Sequence, residues 1–405
     1  MAHEHVDSGY AWMRLAVVLL LSTIGGVGMW SVVVALPAVQ ADFGVARGSA
    51  SLPYTFTMMT FGVAGILMGR LSDRRGIVLT VTTGTILLSL GYVLAGLAVS
   101  LGQFTLIHGL LIGSGSSVFF APIMADTSQW FERRRGAAVG IVASGNYVAG
   151  AVWPPVVQHF IATVGWRTTY VGIGLCCAVS MLALVALLRR RPARTGTAHV
   201  TTRATENRVS PALAMTPGAL QVLLIVAGLT CCLAMAMPQV HVVAYANDLG
   251  HGVAHGARML SVLLACGVVS RLTFGWISDR TGGLRTLLLG SLLQTLALAL
   301  FLPFSGLAAL YVVSAFFGLA QGGIVPSYAM IVRENFPPHE AGARLGAVMM
   351  ATVIGMAVGG WMSGAIFDVT GSYRAAFVNG IVWNLVNLAI AVFLVWRPRL
   401  RPLPA

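Results

Sequence analysis

The chain has 405 residues, of which 57% are hydrophobic and only 9% are charged, and its mean hydropathy is +0.84. Soluble domains carry roughly a quarter of charged residues, so this composition excludes an ordinary soluble protein and predicts a lipid bilayer as the main surroundings. The net charge of +13 does not indicate a nucleic-acid partner, because the basic residues fall in alternate loops and not along one polar face.

Apolar runs of about 20 residues recur along the whole chain, which is the length that a hydrocarbon core about 30 Å thick requires of a helix. They predict an all-α polytopic membrane protein with twelve transmembrane helices, at 13–39, 50–69, 77–99, 103–127, 137–161, 168–188, 217–246, 254–277, 284–303, 307–332, 343–366 and 375–396. No small-residue cleavage site follows the first run, so we expect a retained span and not a signal peptide. The five cysteines lie inside apolar runs, which favours packing over a disulfide framework or a metal site, and no cofactor is expected.

The arginines predict the orientation in the membrane. All 25 basic residues are arginine, and if both termini are cytoplasmic, 20 of them fall in inner segments and four in outer loops. This positive-inside bias fixes the predicted topology and leaves Arg271 within the eighth span. A composition without lysine is typical of a GC-rich bacterial genome, which predicts a bacterial inner membrane.

The sequence repeats itself at an offset of about 206 residues. The clearest repeated segments are Asp42-Phe43-Gly44 with Asp248-Leu249-Gly250, and Gly69-Arg-Leu-Ser-Asp73-Arg74 with Gly275-Trp-Ile-Ser-Asp279-Arg280. The repeat predicts two pseudo-symmetric six-helix bundles, residues 1–188 and 217–405, joined by an arginine-rich cytoplasmic linker at 189–216. Parallel repeats of this kind imply a solute site between the bundles near the midplane, with alternating access by rocking.

The repeated loop, from Gly69 to Gly76 and again from Gly275 to Gly282, resembles the signature of the major facilitator superfamily. The resemblance covers essentially the whole chain and implies that superfamily's fold. We expect the loop glycines to let helices approach closely, the aspartates to lie at a helix N-terminus, and the arginines to pair with an acid such as Asp126 at the end of the fourth span. Alternatively, the loop charges only satisfy topology. A gating or structural role is predicted for Gly69, Asp73, Arg74, Asp126, Gly275, Asp279 and Arg280.

Two further motifs precede the first and the fifth spans. They are Asp7-Ser8-Gly9-Tyr10-Ala11-Trp12 and the segment from Trp130 to Gly140. Both are similar to motifs of the monocarboxylate transporters and the related oxalate/formate antiporters, and they depart from them at Ser8 and at Arg133 and Ala137. The resemblance implies a transporter of small organic anions such as lactate or pyruvate, by proton symport or anion exchange, and not an enzyme.

Arg271 is the first candidate for the solute site. It precedes Asp279 by eight residues and so lies about 12 Å inside the membrane, where an arginine by default faces a cavity or a partner. A guanidinium binds a carboxylate through two parallel hydrogen bonds, which fits an anionic substrate. The monocarboxylate resemblance also implies an arginine four residues before Gly275. The alternative is a buried ion pair with an acid on another helix.

Polar and aromatic residues in other spans complete the predicted substrate site, although each of them could instead serve helix packing. The candidates are Tyr328, Asn146, Phe120, Trp30 and Gln321. His241 in the seventh span is the candidate for proton coupling, because histidine titrates near neutral pH. The family's proton-coupling aspartate and lysine are absent here: Gly267 stands at the first position, and the chain has no lysine. His108 is interpreted as structural.

Two other functions remain open at this stage. The first is a major facilitator exporter of a drug-like or neutral solute, with Arg271 in a structural role. The second is a membrane enzyme or sensor, which the lack of a nucleotide loop, nucleophile–base pair or soluble domain disfavours. We expect a monomer whose partners are its solute, the bilayer and, in symport, protons.

Overall fold

The computed structural model describes residues 7–132, 134–188 and 215–397, and all regular secondary structure within these ranges is helical. The long helices are α1 Gly9–Phe43, α2 Arg47–Arg75, α3 Ile77–Gly96, α4 Leu101–Thr127, α5 Arg135–Val164, α6 Trp166–Ala186, α7 Pro217–Asp248, α8 Val253–Thr281, α9 Gly283–Leu300, α10 Leu307–Asn335, α11 Pro338–Thr370 and α12 Tyr373–Trp396. Each predicted span falls on one of them. Apart from residues 215 and 216, the predicted linker lies outside the described residues.

In the described ranges, eleven of these helices are long and apolar enough to cross a membrane. The helix outside this group is α5, onto which the predicted span 137–161 falls. Its 30 residues suffice to cross a bilayer, but it carries Asn146, Gln158 and His159 together with two prolines. The assignment of α5 as a span therefore depends on its length and not on its hydropathy.

The chain forms two compact units that do not follow the order of the helices strictly. The first contains Met1–Ala198 and Val242–Leu264, and the second contains His199–His241 and Ala265–Ala405. The division falls inside α7 and α8, so one part of each of these helices groups with α1 to α6. The predicted bundle boundaries at 188 and 217 stay a prediction.

Within the first unit, α4 departs from regular α geometry twice. Residues His108–Gly113 form a π-helical segment, and residues 118–120 form a turn before the helix resumes at Ala121–Thr127. Thr60 donates a hydrogen bond of 2.7 Å to the carbonyl oxygen of Gly109, which gives that carbonyl a partner inside the π segment. Just beyond it, a methyl group at Gly115 would lie 2.7 Å from the carbonyl oxygen of Gly84, so α3 and α4 pack backbone to backbone.

The second unit buries a network of side-chain amides. Asn387 donates to the hydroxyl of Ser291 at 2.8 Å, and Asn384 donates to the hydroxyl of Thr295 at 2.7 Å. Gln294 donates to the carbonyl oxygen of Cys231 at 3.2 Å. Hydrogen bonds between membrane helices contribute about 0.6–2 kcal/mol each, so these residues hold α9 against α7 and α12.

Candidate functional site

Arg271 lies on α8 at the level where this helix crosses α10 in close contact. The preceding residue, Ser270, donates a hydrogen bond of 2.6 Å to the carbonyl oxygen of Leu319. A methyl group at Gly322 would lie 2.5 Å from the carbonyl oxygen of Gly267, so only glycine fits there. Arg271 itself is half-buried. Its cationic head is therefore carried by a helix whose position is fixed by direct contact with α10.

Gln321 lies one residue from that crossing and is completely buried, and only one of its two polar side-chain atoms is hydrogen-bonded in the described part of the chain. Its carbonyl oxygen accepts a hydrogen bond of 2.6 Å from the amide of Gln239 on α7. In the described part of the chain, the Nε2 atom of Gln321 has no hydrogen-bond partner. A buried donor left unsatisfied costs about 1–3 kcal/mol. An acceptor that approached this level of α10 would relieve that cost.

Tyr328, a predicted substrate residue about two turns further along α10, is also fully buried. Its hydroxyl donates to the side-chain oxygen of Asn387 at 3.2 Å, so it belongs to the amide network of the second unit. Donation of this hydroxyl to a substrate carboxylate would require the hydrogen bond to Asn387 to be broken.

We therefore expect Tyr328→Phe to lower stability by about 1 kcal/mol, because the oxygen of Asn387 loses its donor. Half-saturation for the solute should stay within about twofold of the wild type, since RT ln 2 is only about 0.4 kcal/mol. Thermal unfolding in detergent and transport kinetics measure the two quantities. A large rise in half-saturation with unchanged stability would instead place the hydroxyl on the substrate.

The three predicted residues of the first unit do lie together. The indole of Trp30 donates to the backbone carbonyl of Asn146 at 3.1 Å, which joins α1 to α5. The side chains of Asn146 and Phe120 line one cavity of about 10 Å³ with Ser22 and Phe119. This volume accommodates about one water molecule. Trp30 therefore positions Asn146, while Asn146 and Phe120 face the space itself.

His241 on α7 is completely buried and has a partner on each ring nitrogen. Nε2 lies 2.7 Å from the carbonyl oxygen of Gly360, which can only accept, so Nε2 carries a proton. Nδ1 lies 3.3 Å from the hydroxyl of Tyr373, which can donate to it. The neutral ring is thus fully satisfied here, and a second proton at Nδ1 would require the Tyr373 hydroxyl to turn and accept. Proton coupling through His241 stays a prediction.

The loop motif behaves differently from the expectation of close helix approach. Nothing lies within 4 Å of a methyl group built at Gly69 or Gly275, so neither glycine marks a tight crossing in this structure. Asp73, Arg74 and Asp279 are exposed. Arg280 stacks over Trp276, with 3.5 Å from the guanidinium carbon to the ring centroid.

Glu334, and not a motif aspartate, binds the N-terminus of α9. Its carboxylate accepts a hydrogen bond of 3.0 Å from the backbone N–H of Gly283, the first residue of α9. The preceding Gly282 has a positive φ of 83°, a backbone conformation that favours glycine. Glu334 sits at the end of α10, and the sequence offered no repeat or motif that singled it out.

Asp126 pairs with Arg14 of α1 and not, as predicted, with a loop arginine. The two side chains form a salt bridge of 2.8 Å and are 9% and 2% exposed. Arg14 also donates to the carbonyl oxygen of Leu188 at 2.9 Å, and its guanidinium lies 4.6 Å from the ring centroid of Trp130. Asp126 pairs with Arg14 and not with Arg74 because Arg14 is buried among the helices, whereas Arg74 is exposed.

The two motifs of the monocarboxylate resemblance contact each other around this salt bridge. Tyr10 packs against Trp130 with ring centroids 5.5 Å apart, and Trp12 packs edge-on against Phe131 at 5.1 Å. The backbone N–H of Asp7 donates to the carbonyl oxygen of Trp130 at 3.1 Å. The motifs therefore close the ends of α1 and α4 on the predicted cytoplasmic side, which is a structural role.

Two ion pairs lie at the opposite, predicted outer ends of the helices of the first unit. Arg47, only 7% exposed, binds both carboxylate oxygens of Asp248 at 3.0 and 3.3 Å and also contacts the side-chain oxygen of Gln40. Arg167 binds Asp42 at 2.8 Å, but both of these side chains are 40% exposed. The first pair fixes the start of α2 to the end of α7, and its bidentate geometry makes it the stronger of the two.

The cysteines and other metal-binding residue types form no site in the described ranges. All five cysteines are free thiols, and no group of three or more His, Cys, Asp or Glu side chains in those ranges could hold a metal ion.

Comparisons with known proteins agree with this architecture. A sequence model of the Major Facilitator Superfamily matches residues 18–308 and, in an overlapping second match, 224–404. Monocarboxylate transporter 13 of Rattus norvegicus is 30% identical, over 80% of this chain and 74% of its own length. The agnestins efflux protein of Paecilomyces divaricatus is 25% identical, over 80% of this chain and 73% of its own.

Among solved structures, a bacterial homologue of the human lysosomal transporter Spinster matches with a TM-score of 0.76. The match covers 98% of this chain and 99% of that one at 14% sequence identity, so it shows the fold alone. The predicted all-α polytopic fold and the predicted superfamily resemblance are confirmed.

Proposed function

We propose that this chain, which belongs to the Major Facilitator Superfamily, is a secondary transporter of small organic anions, in the first place short monocarboxylates of the lactate or pyruvate type. Transport would proceed by alternating access. The observation that carries the proposal is the position of Arg271, half-buried within the membrane-spanning part of α8 at its crossing with α10. An arginine at this depth in the membrane is energetically costly, and the binding of an anion offsets that cost.

The chemistry around Arg271 supports a carboxylate over a cation. A guanidinium offers two parallel donors that match a carboxylate, and Gln321 adds a buried amide donor without a partner in the described residues. An acid in the same region would favour a cationic solute. The described acids nearest the membrane interior are Asp126, which is paired with Arg14, and Asp368, which is exposed near the end of α11.

Uptake of labelled lactate into proteoliposomes tests the proposal, with Arg271→Gln as the critical variant. Removing one partner of a buried charge pair costs about 2–5 kcal/mol, so we expect uptake efficiency to fall by at least about 30-fold. Arg258→Gln is the matched control, because Arg258 lies near the start of the same helix, is exposed and should leave uptake unchanged. Unlabelled acids of increasing size added as competitors define the substrate class.

Two results would contradict the proposal. If short carboxylates neither enter nor compete, the chain carries another solute. If Arg271→Gln transports as well as Arg258→Gln does, the arginine is structural.

Coupling is proposed as either proton symport or anion exchange, and the same vesicles separate the two. An inward proton gradient accelerates symport, whereas internal unlabelled acid accelerates exchange. If symport is found, His241→Gln tests the proposed proton-coupling residue. A role for His241 predicts that the variant keeps exchange but loses acceleration by the proton gradient.

The second candidate function is export of a drug-like or neutral solute, with Arg271 in a structural role. The observation that favours it is the similarity to a relative named as an agnestins efflux protein. Export predicts that cells expressing the chain accumulate less of a fluorescent amphiphile, and that Arg271→Gln lowers the amount of folded protein in parallel with activity.

We further propose that the protein works as a monomer in a bacterial inner membrane with both termini in the cytoplasm. The arginine-only basic composition and its distribution over the loops support this location. Reaction of single introduced cysteines with an impermeant reagent in intact cells tests the orientation.

A further inference from the structure

We propose that the cavity between α8 and α10 is a second anion-binding site, in which Arg333 and Ser278 receive the substrate on the predicted cytoplasmic side before it reaches Arg271. This inference rests on the proposed function and adds two residues to the site predicted from the sequence. The cavity has a volume of about 190 Å³, and its walls include Phe274, Ser278, Asp279, Pro326, Met330 and Arg333. All of these residues belong to the second unit.

The cavity arises because α8 and α10 touch at one level and separate below it. At the crossing, Gly322 and Gly323 pack against Gly267 and Phe274 so closely that no larger residue fits. At Gly275, the residue that follows Phe274 toward the predicted cytoplasmic side, nothing lies within 4 Å of a methyl group built on the backbone. The space between the helices therefore opens directly below the level of Arg271.

The register of α8 makes the cavity continuous with the face that carries Arg271. Residues 271, 274, 275 and 278 are spaced as i, i+3, i+4 and i+7, so they lie along one side of a helix. The last three of them line the cavity. Seven residues of helix span about 10 Å, so Ser278 and Arg271 mark the two ends of one short path along this face.

Two side chains of the cavity, Ser278 and Arg333, can donate hydrogen bonds to a bound solute. Ser278 is 8% exposed, and its hydroxyl has no hydrogen-bond partner in the described part of the chain. Arg333 is exposed at the same cavity, and no ion pair within the described ranges involves it. A hydroxyl donor and a guanidinium around one space suit a carboxylate, whose oxygens accept from both.

The charges around the cavity favour a monoanion, and its volume of about 190 Å³ leaves room for a small solute. Asp279 lines the same cavity, and its carboxylate would repel a second negative charge on the solute. The site should therefore accept a monocarboxylate more readily than a dicarboxylate of similar size.

The critical experiment measures half-saturation for lactate from each face, in inverted membrane vesicles and in intact cells, at low and at physiological salt. For Arg333→Gln we expect the lactate concentration at half-saturation to rise about three- to tenfold. The rise should occur only from the predicted cytoplasmic face, because a peripheral charge acts mainly on the rate of association. The wild-type value on that face should also rise with salt, and the variant should lose that salt dependence. Arg285→Gln, an exposed arginine on the predicted cytoplasmic side of the same unit and outside the cavity, should behave as wild type.

Equal changes from both faces, no change, or the same change in Arg285→Gln would overturn the proposal. A wild type that transports no carboxylate would instead refute the proposed function, so the two failures are distinguishable.

A measurement independent of transport uses Ser278→Cys and charged methanethiosulfonates, with the unsubstituted protein as the background. We expect the anionic reagent to label Cys at this position about threefold faster, relative to the cationic one, when Arg333 is present than in Arg333→Gln. Lactate should slow the labelling. A labelling ratio that is the same with Arg333 and in Arg333→Gln would contradict an anion site here, and so would a lack of protection by lactate.

Discussion

Replacing Arg14 with glutamine should lower the stability of the folded protein by about 3–5 kcal/mol, because it leaves the carboxylate of Asp126 buried without its counter-charge. Arg14 and Asp126 are 2% and 9% exposed, so water cannot take over the lost interaction. The same substitution also removes the hydrogen bond to the carbonyl oxygen of Leu188 and the contact with Trp130. Thermal unfolding in a mild detergent, followed by the fluorescence of Trp130 and its neighbours, measures the effect.

The matched control is Asp42→Asn in the same unit. Asp42 forms an ion pair of the same length, 2.8 Å, with Arg167, but both side chains are 40% exposed. Exposed pairs contribute about 0–1 kcal/mol, so this variant should unfold near the wild-type temperature. If the two variants lose similar stability, burial of the Arg14–Asp126 pair is not what stabilises the predicted cytoplasmic ends of α1 and α4.

Replacing Arg47 with glutamine should increase the fraction of molecules in which the start of α2 and the end of α7 have separated. Arg47 makes a bidentate contact with Asp248 and is nearly buried, so losing it should favour the separated state by about 1–3 kcal/mol, or about five- to 150-fold. A cysteine introduced at the buried position 51, one turn along α2, reports the change through its rate of reaction with an impermeant thiol reagent.

Reversal of the two charges provides the internal check. Arg47→Asp combined with Asp248→Arg restores attraction with the opposite polarity, so labelling at position 51 should fall back toward the wild-type rate. If each single variant labels as slowly as the wild type, the pair is not a latch on these helix ends. The exposed pair of Arg167 and Asp42 again serves as the control, because its loss should leave position 51 protected.

The helices could be predicted from the sequence because a bilayer demands long apolar runs, and each of these runs lies on a helix in the structure. α5 shows the limit of this rule, since Asn146 and its prolines make it less apolar than the other spans while its length is sufficient. The repeat and the loop motifs were equally readable, because they depend on residue identity at a fixed offset.

The pairing of charges could not be predicted. Arg14 and Asp126 are 112 residues apart, and Arg47 and Asp248 are 201 apart, so no local pattern connects them. In the sequence, Arg14 and Arg47 resemble the other arginines that determine membrane topology. Only the tertiary structure places each of them next to its acid. The roles of Trp30 and Tyr328 depend in the same way on tertiary partners, Asn146 and Asn387, that the sequence does not indicate.

The π-helical segment at His108–Gly113 has a consequence for how the length of α4 can change in evolution. A π turn holds one residue more than an α turn, so deleting one residue there would convert the segment to ordinary α-helix and leave the faces of the following residues nearly unchanged. A deletion that left the π segment intact would instead rotate everything that follows by about 100°. Gly115 would then turn away from α3, and a residue with a side chain would meet the carbonyl oxygen of Gly84. Shortening of this helix by a single codon is therefore compatible with the packing of Gly115 only at the π segment.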